Sequence, residues 1–222
     1  VVVGALRKGE TNPPSDPADL LPADLVANSN GKRAIVLGND STVIGDVEAV
    51  GQVELGRERM KIDGEVRSGS DPVELPKLDL QTYDPKANGN SFFDLQDGNV
   101  AKIVGSARAS GDLTFNKPLE ISDGLLYVDG DLTLRDGIKG NGLVVVTGDL
   151  TITGGNTDLT NPTELGVLSG GRARVHDGGV LRGLIYAEKG LEAARITIIG
   201  SLLTGNAATG ISLDEVNVYH QE

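Results

Sequence analysis

Apolar and polar residues alternate in short bursts along most of this chain. Leu113-Thr114-Phe115, Leu132-Thr133-Leu134 and Leu150-Thr151-Ile152 each set two apolar side chains on one side and a Thr on the other. Period two over a few residues is the pattern of a strand with one buried face. Gly, Asn or Asp separates most of the bursts, as tight corners require. One phrase, Gly-Asp-Leu-Thr, stands at 111–114, 130–133 and 148–151, with weaker copies at Gly45-Asp46-Val47 and Gly64-Glu65-Val66. From Gly to Gly the steps are 19 (45 to 64), 47 (64 to 111), 19 (111 to 130) and 18 residues (130 to 148). A near-constant step, broken once, is what a solenoid leaves in a sequence. A coil this short cannot bury its own branched side chains or pair its own strand edges. Stacked about 4.8 Å apart, coils do both. The expected fold is therefore all-β: a single-stranded, right-handed parallel β-helix with coils of about 18–19 residues and one long inserted flap. Seven or eight coils would make a rod of about 35–40 Å.

The same pattern divides the chain. Residues 1–33 read as a lead-in strand (VVVGALRKG) and a Pro-rich linker, with Leu20, Leu21 and Leu25 available to cap the first coil. Residues 34–67 form a first solenoid block and 68–105 an inserted flap carrying Phe92, Phe93 and Leu95. Residues 106–222 form a second block of the same domain, with a polar insertion at 155–164. In it the inward pairs continue as Ala173/Val175, Leu191/Ala193 and Ile211/Leu213 before a final strand through Val216, Val218 and Tyr219. Val1-Val2-Val3 reads as the middle of a strand, so the chain is expected to be a piece of a longer protein.

Composition sharpens this picture. Aromatics make up only 3% and there is no Trp, while 31 residues are Gly. A narrow interior of stacked Val, Leu, Ile and Ala needs few rings, and its corners need Gly. The net charge of −12 argues against a broad nucleic-acid face and against anionic lipid. There is no Cys, hence no disulfide frame or thiol chemistry. No stretch approaches the ~20 apolar residues of a membrane helix, and no signal peptide is visible.

Candidate chemistry is sparse. Asp46, Glu65, Asp112, Asp131 and Asp149 follow corner glycines and would stack as an acidic ladder. Calcium would suit such an edge, but the dense Gly-Gly-Asp pattern of calcium solenoids is absent, so these acids are read as ties for turn N–H groups. Arg172 follows Asp149 in the next coil. Thr114, Thr133 and Thr151 form an outward array that ends at Arg174 and Glu192, read as ordinary strand Thr rather than an ice-ordering surface. His176 lies beside Asp177 without a nucleophile motif, and His220 lies near the end. Tyr83, Tyr127, Tyr186 and Tyr219 are the rings a sugar would stack on, yet no paired carboxylates assemble beside them. The one cationic cluster is Arg172, Arg174 and Arg182. Catalytic, cofactor and metal residues are accordingly assigned as none.

The succession PKLDLQTYDPKA, LLYVDGDLTL, GNGLVVVTGDLTITGG, GLIYAEKGLE and GSLLTGN, over residues 30–215, resembles the solenoid ectodomains of bacterial minor-pilin-like, PilX-type pilus-assembly proteins. More distantly the coils are similar to bactofilins. The first resemblance implies a non-enzymatic, extracellular cell-surface module for display, adhesion or pilus assembly, with pilus or surface proteins, or a surface ligand, as partners and no membrane contact within this chain. The second implies a self-polymerising scaffold. Further alternatives are a competence-pilin DNA receptor, working through Arg172, Arg174 and Arg182, and a polysaccharide-active β-helix enzyme.

Overall fold

The computed structural model describes residues 2–7, 10, 12–74, 78–161, 165–205 and 210–221. Expectations that fall on Val1, Pro76, Lys77, residues 162–164, Asn206 and Glu222 lie outside the described residues.

About half of the chain, 51%, is strand and 3% is helix, and every strand-to-strand ladder is parallel. The strands stack as a β-solenoid of about 10 turns, more than the seven or eight that the repeat suggested. The extra turns come from both supposed non-solenoid segments. Val2–Leu6 and Leu25–Ala27, in the lead-in, are rungs. So are Phe93–Leu95, in the supposed flap, and Lys102–Ser110, which begins in it.

Each complete turn crosses three faces. On the first, the inward column runs Ile103, Ile121, Gly140, Leu159, Leu181, Ile198, Val218, Val3, Val43, Ile62. On the third it runs Leu113, Leu132, Leu150, Ala173, Leu191, Ile211, Ile35, Val53. The second face carries Leu126, Val144, Val167, Ile185 and Leu202 inward, and beyond a break Leu25, Val47 and Val66. These columns make one continuous core. Small branched residues fill it because each packs on its like about 4.8 Å away.

Stacking order is not chain order. From one end the rungs run from 93 up to 221 and then from 2 to 68, so that Val2–Leu6 lies parallel to the C-terminal strand Asn217–Gln221 in mid-solenoid. Residues 69–92 therefore return from one end of the rod to the other. Ten strands along the first face, with Phe93–Leu95 one rung further on the second, span about 48 Å, and 24 extended residues (69 through 92) reach up to about 80 Å. The connection is long enough with slack to spare. It acts as a strap along the outside of the second face rather than as a flap.

The strap explains an oddity of that face. Its outward column of Tyr127, Val145, Leu168 and Tyr186 is buried. Leu78, Leu80 and Tyr83 of the strap pack over it together with Leu125, Leu143, Leu184 and Leu203. Both sides of these strands are thus dry. Phe93, read from the sequence as part of the flap, instead stands 60% exposed on the terminal rung. Leu20 does pack down, on Leu6, Ile44, Ile199 and Tyr219, but in mid-rod rather than as an end cap.

Candidate functional surfaces

The acidic residues sit at two corners, not one. Asp112, Asp131 and Asp149 turn the chain from the second face to the third, as the rungs Leu113, Leu132 and Leu150 follow them. Asp46 and Glu65 turn it from the first to the second, ahead of Val47 and Val66. This is why the spacing jumps between them. The chemistry at both corners is the same. The Asp131 N–H donates to Asp112 Oδ1 at 2.9 Å, Asp149 N–H to Asp131 Oδ1 at 2.7 Å, and Arg172 N–H to Asp149 Oδ1 at 2.9 Å. At the other corner, Asp46 N–H donates to Asp24 Oδ1 and Glu65 N–H to Asp46 Oδ1, both at 2.9 Å. Each carboxylate ties the next turn's backbone, and Asp24 heads a ladder that sequence reasoning did not include. Among the described residues no group of three or more His, Asp or Glu is arranged to hold a metal ion.

The third corner carries a feature the repeat did not disclose. Asp177, Arg195 and Glu215, and likewise Asp40 and Arg59, are left-handed at φ of 75°, 52°, 52°, 58° and 52°. Their charges alternate: Asp177 pairs with Arg195, and Asp40 with Arg59 at 2.5 Å. Asp177 is therefore engaged away from His176. The acid facing His176 is Glu192, with Oε1 3.7 Å from its Nε2.

The three arginines of the cationic cluster part company. Arg172 lies at the second-to-third corner, Arg174 on the third face at 3.6 Å from Glu192, and Arg182 on the first face at 2.6 Å from Asp158. Thr114, Thr133 and Thr151 do form an outward column, followed by Arg174 and Glu192. The tyrosines are turned inward or covered. Tyr127, Tyr186 and Tyr219 are buried, and burial pushes the phenol of each upward. Tyr186 donates to Glu188, which raises it further.

The strap is fixed at both ends by polar contacts. Val73 N–H donates to Asn28 Oδ1 at 2.9 Å, and Asn28 Nδ2 returns a bond to the Val73 carbonyl. At the far end Arg108 Nε donates to Asp84 Oδ1 at 3.0 Å and Nη2 approaches Asp129 Oδ2 at 3.2 Å. The Arg108 and Asp84 side chains are only 7% and 9% exposed, and the guanidinium lies over the Tyr127 ring at 5.7 Å. Burial alone would raise the Asp84 carboxyl. The bonds from Arg108 and from the Lys86 N–H outweigh it and hold the carboxyl below its ordinary value. The same bond, donated by Arg108 to Asp84, raises Arg108.

One histidine meets a hydroxyl. His220 Nδ1 lies 3.1 Å from Ser201 Oγ, beside a cavity of about 290 Å³ between the first and second faces. Asp24 lines the same cavity, but its carboxylate is bonded to the Asp46 N–H. A Ser–His contact needs a third group to orient the ring before it acts as nucleophile and base, and no described carboxylate takes that place. His220 stands one turn on from the corner glycine Gly200, a relation that appears only once Ile199 is registered on Tyr219. Comparison with protein-family models, with curated proteins and with solved structures returned no match.

Proposed function

We propose that the chain is a non-enzymatic structural module of a pilus-associated, minor-pilin-like protein at the bacterial cell surface, serving display, adhesion or assembly. The observation that carries this reading is the strapped rod itself. Its corner carboxylates are spent on backbone ties and several others on ion pairs, and Tyr127 and Tyr186 on burial under the strap. What remains outside is a stiff, polar third face, with Thr114, Thr133, Thr151, Arg174 and Glu192 in one outward column. The stretch resembling PilX-type proteins includes residues 78–87, the part of the strap that grips the rod. The test is antibody labelling of intact bacteria that make the natural protein. Labelling without permeabilisation, with reduced piliation or attachment on deletion of the gene, is expected. Labelling only after permeabilisation overturns the reading.

A second reading, a self-polymerising scaffold of bactofilin type, is favoured by the open edges at the two rod ends. No described strand pairs beyond Val53–Leu55, Lys61–Ile62 and Val66–Ser68, or beyond Phe93–Leu95. Long filaments in electron micrographs of the purified chain would select this reading over the first.

A further inference from the structure

A lysine in the middle of the first face is left without a partner. Lys102, Glu120, Lys139 and Asp158 follow one another in a single outward column, so their charges alternate from rung to rung. Lys102 takes Glu120, at 2.5 Å. The rung after Asp158 puts Val180 where a further cation would continue the series. Asp158 turns instead to Arg182, two residues along that strand, at 2.6 Å. Both acids that flank Lys139 are therefore engaged elsewhere, and no described carboxylate lies within ion-pair distance of its ammonium. In a chain of net charge −12, where acids outnumber bases, a lysine left over between two acids is the less expected outcome.

That ammonium borders a cleft of about 600 Å³, within the range of about 300–1,000 Å³ that small-molecule sites occupy. Asn156, Thr157, Asp158, Thr160 and Arg182 line the cleft with Lys139, and Gly140 and Gly155 border it without side chains. Their hydrogen bonding is incomplete. Asn156 donates through Nδ2 to Asp136 Oδ1 at 2.8 Å, which leaves its own amide oxygen to accept. Thr157 is 3% exposed, and its hydroxyl has only a long bond, 3.5 Å, to the Gly154 carbonyl. No described group bonds the Thr160 hydroxyl. The Arg182–Asp158 pair runs from Nη1 to Oδ1, so the second carboxylate oxygen and the remaining guanidinium N–H groups stay available.

The lining thus holds two cations and one anion, with hydroxyl and amide groups among them. A simple anion would use the cations and ignore the rest. A neutral sugar would find no ring to stack on. A phosphate ester, near −2 at neutral pH, would exceed the local surplus of one positive charge. We propose that this cleft binds a monoanionic sugar acid, a hexuronate unit, with its carboxylate at Lys139 and Arg182 and its hydroxyls on Asp158, Asn156 and Thr160. Charge-assisted bonds to the carboxylate supply affinity, and the polar groups around it select for hydroxyls. The cleft is a binding site and not a cleavage site, because Asp158 is the one carboxylate in its lining and glycoside hydrolysis uses two. The inference stands on the cleft and not on where the protein resides.

The test titrates the full chain separately with glucuronate, glucose, acetate and glucose 6-phosphate at constant ionic strength, following the amide chemical shifts of isotope-labelled protein. Glucuronate is expected to move the amides of residues 155–160 and of Arg182. It should half-saturate them at a concentration at least about tenfold below that of glucose or acetate. Lys139→Ala should weaken glucuronate about tenfold while keeping the circular dichroism and melting of the wild type, because the ammonium makes no contact that the fold uses. Thr160→Val should weaken it by a smaller factor. Lys61→Ala removes an exposed lysine of the same outward column at the rod end and should leave binding as it was. No glucuronate-dependent shifts at these residues, or an equal loss in Lys61→Ala, overturns the proposal. So does acetate binding as well as glucuronate, or glucose 6-phosphate binding more tightly.

Discussion

The second face of this solenoid exists in two versions. In the block from 93 to 204 its outer side is roofed by the strap, and Tyr127, Val145, Leu168 and Tyr186 are buried there. In the block from 25 to 68 it is open, and the outward residues are Val26, Glu48 and Arg67, the last two paired with each other. The inward columns are alike. The coil therefore supplies only half of what holds a strand; what lies outside decides the other half. A roofed strand needs apolar residues on both sides, whereas an open one follows period two. The roof also changes the electrostatics. Arg108 and Asp84 sit together almost dry, where Arg67 of the open sheet meets Glu48 and Glu65 at the surface.

The sharpest way to break the comparison is to unpin the roof. Arg108→Ala strands Asp84 in a dry site and is expected to cost about 4 kcal/mol, read by denaturant unfolding, with faster exchange over residues 78–92. Arg67→Ala in the open sheet, where the pair is exposed and screened by water, should leave the unfolding midpoint close to that of the wild type. Equal losses would show that the roof adds nothing. Next in size, Leu168→Ala should cost about 3 kcal/mol by cavity formation, while Glu48→Ala, on the matching side of the open sheet, stays within about 0.5 kcal/mol.

The same pin responds to pH in a definite direction. The Asp84 carboxyl titrates lower folded than unfolded. Its stabilisation is therefore complete above the unfolded value of about 3.9 and is lost as pH falls through its lower folded value. Acid unfolding curves of the wild type and Asp84→Asn should diverge above that window and converge below it; parallel curves would refute the coupling. The smallest effect concerns the ladders, which both blocks share. Asp131→Ala, removing the acceptor for Asp149 N–H, should cost about 1 kcal/mol. Asp46→Ala, which frees Glu65 N–H, should cost about the same, since both carboxylates accept from one backbone N–H of the next turn.

Parts of the strap were legible in the sequence. The runs LLYV, LVVV and LIYA are continuous rather than alternating, which marks strands buried on both sides, and PKLDLQTY carries the residues that cover them. No local rule connected the two, because they lie tens of residues apart and meet only when the rod is built. The Ser201–His220 contact is similar, since it appears only once Ile199 is registered on Tyr219. The candidate chemistry divided along the same line. Acids tying turns could be read from corner phrases, as Asp131 and Asp149 show. Arg172, Arg174 and Arg182 looked like one patch only in linear order and stand on different parts of the surface.

By itself the sequence determined the strands, the coil length near 18–19 residues, the inward columns and the outward Thr array. These follow from period-two alternation and corner glycine, which act within a few residues. The tertiary structure decided the order of stacking, the two kinds of corner and the roof. All parallel rung edges offer the same hydrogen bonds, so an edge formed by the chain's last strand accepts its first strand as well as any other. Nothing local selects between them. The choice falls to a linker long enough to run back along the rod, and to the apolar face that the linker buries on its way.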